Sequence, residues 1–103
     1  MPIYPLRLQK SYRKGGFFNV TTDYARYARP DDGLVNVIIE RTGQRLRARV
    51  YRRRANNNGT PRVYHRELKP HFQTYHEVMD TVFVDLRSPE EMIIRARIAK
   101  EQP

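Results

Sequence analysis

Apolar and polar residues alternate along much of this chain, most cleanly in "GLVNVIIERTGQRLRARVYRR", residues 33–53. Leu34 to Glu40 is rich in Val and Ile, Thr42-Gly43 reads as a tight turn, and Arg45 to Tyr51 alternates without a fault. A period of two is the mark of a half-buried strand, and two such runs about a short turn make a hairpin. The pattern turns Leu46, Ala48 and Val50 inward. It turns Arg45, Arg47, Arg49 and Tyr51 outward, with neighbouring guanidinium groups roughly 6.6 Å apart along the strand.

The rest of the chain also reads mostly as strand. "IYPLRLQ" (3–9) is a first strand with Ile3 and the leucines as its apolar members, and Pro5 suits an edge position. "RKGG" breaks the chain and "FFNV" (17–20) is a short strand. "TTDYARYAR" (21–29) predicts a short helix, because Thr21 or Thr22 can cap it and Asp23 suits its first turn. "ANNNGT" is a loop by composition. "PRVYHR" returns as a strand with Arg62, Tyr64 and Arg66 on one face and Val63 on the other. "ELKPHFQTY" predicts a second short helix with Pro70 in its first turn. "TVFVDLR" places Val82, Val84 and Leu86 inward. After the turn "SPEE", "MIIRARI" places Met92, Ile94, Ala96 and Ile98 inward. The expected fold is mainly β, a seven-stranded open pseudobarrel with two short helices, in one domain over residues 1–103 with a polar tail at 98–103.

Charge changes the picture from fold to partner. The chain has 20 Lys+Arg against 11 Asp+Glu, a net charge of +9. Arg dominates, and its fork matches phosphates and guanine edges better than an ammonium does. The charge is segregated: Arg41 to Arg66 holds nine arginines and no acid, whereas His76 to Met92 holds five acids and one arginine. One side of the fold should therefore be basic, and a polyanion, nucleic acid before membrane, is the expected partner. No apolar run reaches the roughly 18 residues a membrane span needs. The N-terminal stretch lacks the apolar core of a signal peptide, so the cytoplasm is the expected location. Without cysteine there is no disulfide framework, thiolate chemistry or zinc ribbon.

The densest chemistry lies in "YRRRANNNGTPRVYHRE", residues 51–67. Arg can fork to guanine O6/N7 and Asn can pair with adenine N6/N7. A two-stranded ribbon fits a major groove about 12 Å wide. The order of parts in "FFNVTTDYAR", "GLVNVIIERTGQRLRARVYRR", "NNNGTPRVYHREL" and "DTVFVDL" resembles the B3-like pseudobarrel DNA-binding domains, over about residues 12 to 87. These include plant B3 domains and the recognition domains of bacterial restriction endonucleases; the chain has no tryptophan, so the bacterial branch is the better match. The resemblance implies two arms that grip the major groove of double-stranded DNA. The first would comprise Tyr12, Arg13, Lys14, Gly15, Gly16 and Asn19. The second would comprise Arg52, Arg53, Arg54, Asn56, Asn57, Asn58, Thr60, Arg62, Tyr64, His65 and Arg66. Arg45, Arg47 and Arg49 are expected to face phosphates. The resemblance leaves room for a catalytic domain or subunit as a further partner.

No catalytic residue or cofactor is expected. His65, His71 and His76 have no metal-ligand spacing. "PDDG…VIIER" (30–41) carries part of a PD…E-x-K nuclease pattern, but Thr42 stands where the lysine is needed, and Asp31-Asp32-Gly33 suits a turn. Two rivals remain: a small basic ribonuclease of the toxin type, and a structural RNA-binding barrel. Stacking aromatics on a sheet face would favour the latter.

Overall fold

The computed structural model describes residues 2–52 and 60–99. Its strands are β1 (Ile3–Arg7), β2 (Phe17–Asn19), β3 (Gly33–Ile39), β4 (Gln44–Tyr51), β5 (Arg62–Tyr64), β6 (Thr81–Ser88) and β7 (Glu91–Ala99). Two helices accompany them, α1 (Lys10–Gly15) and α2 (Leu68–Tyr75). The strands form a single sheet in the order β1-β6-β7-β3-β4-β5-β2. It curls into a nearly closed barrel whose one unsealed seam lies between β1 and β2. Neighbours are antiparallel except β3 and β7, which run parallel with Val37 opposite Met92. Register shifts between Val82 and Val84 and between Asp85 and Ser88 interrupt the β6–β7 ladder. Such irregularities bend and twist a strand, which a curling sheet requires.

The alternation expected of the central hairpin is what the structure has. Leu46, Ala48 and Val50 are buried together with Val35, Val37 and Ile39. The turn spans residues 40–43, with Gly43 at φ 76°. Val82, Val84, Leu86, Met92 and Ile94 fill the other wall, while Ala96 and Ile98 are half-buried near the rim. The β7 strand runs to Ala99, so Ile98, which the alternation turns inward, and Ala99 belong to the sheet and not to the tail expected at 98–103.

Pro5 does sit on an edge strand, where its missing N–H costs no ladder bond. The face of β1 differs from expectation: Tyr4, Leu6 and Leu8 point into the core and Ile3 is exposed. The choice follows from period two, since Ile3 cannot share a face with Leu6 and Leu8. Tyr4 is tolerated in the core because its hydroxyl crosses the seam and donates to the Asn19 carbonyl at 2.8 Å. Burial raises its phenolic pKa.

The first helix is also displaced from its expected place. Residues 21–29 form turns and one 3-10 turn, Ala25–Tyr27, and the helix is α1, where a break was expected. With Thr21 to Asp23 exposed and only Ala28 buried outright, the 21–29 segment lacks a continuous apolar stripe to hold a helix on the core. Helix α1 is held instead by α2. Arg13 Nε donates to the His76 carbonyl at 3.1 Å, its second nitrogen donates to the Gln73 carbonyl at 3.4 Å, and Gln73 Nε2 donates to the Arg13 carbonyl at 3.0 Å. These bonds satisfy carbonyls that a helix end leaves open. Helix α2 buries Leu68, His71 and Phe72 and closes one end of the barrel.

Gly16 ends α1 at φ 72°, and a Cβ there would lie 3.0 Å from both the backbone nitrogen and the Cβ of Lys69. Gly16→Ala is therefore expected to cost about 1–2 kcal/mol from the left-handed backbone alone, with more from displacing α2. A urea titration against the unaltered protein measures it.

Candidate nucleic-acid interface

The outer face of β3, β4 and β5 gathers the basic residues, and its register follows from the hairpin. Ile38 lies opposite Arg45, Asn36 opposite Arg47 and Leu34 opposite Arg49. Across the next ladder Arg49 lies opposite Tyr64 and Tyr51 opposite Arg62. Across the next, Tyr64 lies opposite Phe17 and Arg62 opposite Asn19. Directly opposed residues on one face have Cβ atoms about 4.5–5.5 Å apart, so Leu34, Arg49, Tyr64 and Phe17 form one row across four strands. A shallow groove of about 380 Å³ runs here, lined by Leu34, Arg47, Arg49, Tyr51, Tyr64, His65 and Arg66. No acid lines it.

Two of the arginines are held by neighbours. Arg47 donates to Asn36 Oδ1 at 2.9 Å. Arg62 Nε donates to Asn19 Oδ1 at 3.0 Å, and its guanidinium lies 4.4 Å from the centre of the Phe17 ring. Such a buttress fixes the plane of the fork, which planar recognition of a base edge or phosphate requires. Among the described residues Arg45, Arg47, Arg49 and Arg66 have no carboxylate partner. On the other wall Arg95 pairs with Glu40 at 2.8 Å and Arg87 with Asp85 at 3.3 Å, while Arg97 lies over the Phe83 ring.

The structure divides the expected site residues. Arg45, Arg47, Arg49, Arg62, Tyr64, His65, Arg66 and Asn19 share the basic face. Tyr12 packs against the core, its ring 5.2 Å from that of Phe17. Arg13 is committed to the end of α2, and Lys14 is exposed on α1. The segment expected to form the first arm thus lies largely within α1. Arg52 is also drawn inward. Its backbone N–H donates to Asp32 Oδ1 at 2.6 Å and its guanidinium donates to the Ala25 carbonyl. These bonds tie the end of β4 to the turns before β3. His65 Nδ1 accepts from the Glu67 N–H at 3.0 Å. Thr60 is half-buried where the chain returns to β5. Arg53, Arg54, Asn56, Asn57 and Asn58 lie outside the described residues.

Three contributors escaped the sequence reading: Asn36, Phe17 and Leu34. Asn36 was within reach, because counting back from the turn places it opposite Arg47. Phe17 was not, since its neighbour Arg62 arrives through a pairing that no short turn fixes.

The carboxylates of the partial nuclease pattern do not meet. Asp32 precedes β3 and Glu40 follows it, which puts them more than about 20 Å apart along an extended strand. Glu40 instead accepts from Arg95 and from the Ala96 N–H. Among the described residues no group of three or more His, Cys, Asp or Glu is placed to hold a metal ion. Among them, too, no helix is long and apolar enough to cross a membrane. No family model matches the chain, and no curated protein matches it in sequence.

Proposed function

We propose that this chain is a sequence-specific double-stranded DNA-binding module, acting in the cytoplasm without catalysis of its own. The observation that carries the reading is the row Arg45, Arg47 and Arg49, with Arg66 beside it in the same groove, on a face whose cations lack carboxylate partners among the described residues. A row of guanidinium groups on a rigid strand suits a phosphate backbone, which attracts charge but carries no sequence. Sequence would be read where β4 leads out of the sheet and β5 returns, with Arg62 set by Asn19 and Phe17 as a fixed fork beside that connection. The open barrel of seven strands with two helices fits the resemblance to B3-like recognition domains. That likeness also suggests a catalytic domain or subunit as the natural partner.

The test is a titration at physiological salt with duplex DNA, single-stranded DNA and duplex RNA. Duplex DNA should bind more tightly than duplex RNA, whose deep, narrow major groove side chains cannot read. Equal or tighter binding of RNA would favour the RNA-binding barrel instead. Within the protein, Arg47→Ala should weaken a selected site and a scrambled duplex alike. Arg62→Ala should lose about 1–3 kcal/mol on the selected site alone. If both variants weaken both duplexes equally, Arg62 reads no base.

A further inference from the structure

Tyr64 is an aromatic side chain that stands outside the core cluster. It lies at the centre of the row Leu34, Arg49, Tyr64 and Phe17, yet it is 41% exposed. Tyr12, Tyr24 and Tyr27 pack against the core. Arginines cover the rings of Phe17, Tyr27, Tyr75 and Phe83. Among the described residues no cation or second ring lies over Tyr64. A phenol ring this exposed, in a groove lined by Arg47, Arg49, Arg66 and a second tyrosine, Tyr51, is aromatic surface interleaved with positive charge. Bases stack on such surfaces whatever their sequence, while the guanidinium groups hold the phosphates.

A base within a duplex cannot use that ring, because its faces are covered by its neighbours and only its edges reach the groove. A base out of the stack can. We propose that this groove takes one unpaired nucleobase, stacked on Tyr64, with its flanking phosphates on Arg47, Arg49 and Arg66. The inference rests on the duplex-binding reading and narrows its substrate to duplex DNA carrying an unpaired or extruded nucleotide.

Three labelled duplexes test it with the whole chain by fluorescence anisotropy. One is fully paired, one carries a single bulged adenine, and one carries 2-aminopurine at the bulge. The bulged duplex should bind about tenfold more tightly than the paired one, the scale of one base–aromatic stack. The 2-aminopurine emission should change on binding. Tyr64→Ala should abolish the preference and the emission change yet keep the salt dependence of binding to the paired duplex. Tyr64→Phe should retain both effects, because the ring and not the hydroxyl does the stacking. Equal affinity of the unaltered protein for paired and bulged duplexes, with unchanged emission, would overturn the inference and leave duplex binding standing. A preference that survives Tyr64→Ala would overturn it too, by moving the base elsewhere. Failure of both duplexes to bind would remove the duplex-binding reading and this inference together. The emission measured on the unaltered protein does not depend on how any variant folds.

Discussion

Replacing Arg45, Arg47 and Arg49 together by alanine is expected to weaken duplex DNA binding about a hundredfold at physiological salt. Each phosphate contact releases counterions and contributes about 0.9 to the slope of log affinity against log salt. Loss of three should flatten that slope by about 2.7. At 0.15 M salt such a change corresponds to roughly two decades in affinity. The barrel should survive, since these side chains stand on the outer face and the inward Leu46, Ala48 and Val50 are untouched. A salt series on one duplex, with a thermal melt of the triple variant, checks both halves. An unchanged slope with an intact fold would place the phosphates on another surface.

Acidification is expected to destabilise the protein through His71, by about 3 kcal/mol once the pH has fallen below 4. His71 is buried against Phe72, Tyr75 and His76, and its Nδ1 has no hydrogen-bond partner. Burial, then the neighbouring His76 and Arg41, lower its pKa from 6.5 to about 4. Above pH 6.5 the imidazole is neutral in both the folded and the unfolded chain, and the full stability is present. As the pH falls through 6.5 the unfolded chain takes up a proton that the folded chain refuses. Stability is therefore lost progressively down to about pH 4. Glu67 lines the same small cavity and is the nearby group of opposite sign. His71→Phe keeps an aromatic ring in the site and removes the titration. It should lose about 2–3 kcal/mol less than the unaltered protein between pH 7 and pH 4.5, measured by urea unfolding. Parallel losses in the two proteins would assign the acid sensitivity to other groups.

The hairpin was legible in the sequence because period two is a local signal and Thr42-Gly43 fixes its register. The outward row of arginines followed from the same signal. The face of β1 was not legible because Ile3 and the leucines lie on opposite faces, and Tyr4 shares the buried one through a hydroxyl bond to a strand it meets only in three dimensions. The place of the first helix was misjudged for a similar reason. Lys10 to Gly15 buries no side chain fully and rests only Tyr12 against the core, so no apolar stripe announces it, and Arg13 and Gln73 bind it across to α2. Arg13 and Arg52 show the same limit from the other side. Composition reads every arginine as a candidate for phosphate, whereas Arg13 and Arg52, like Arg29, spend donors on backbone carbonyls.

The parallel pairing of β3 with β7 bears on how quickly the barrel assembles. The β3–β4 and β6–β7 hairpins join neighbours in the chain and can form on their own, on a scale of about 1–10 μs. Neither can complete a core alone. Val37 must find Met92 before the two hairpins share one sheet, and Tyr4 must find Val84 before β1 joins it. Those encounters link distant parts of the chain, and their loop-closure entropy comes due before most of the apolar surface is buried. Refolding should therefore run in the millisecond-to-second range of non-local β topologies, with β1 joining late because it can dock only on an already formed β6. A truncation at Val37 of the kind Val37→Ala should slow refolding, while Leu6→Ala should chiefly speed unfolding.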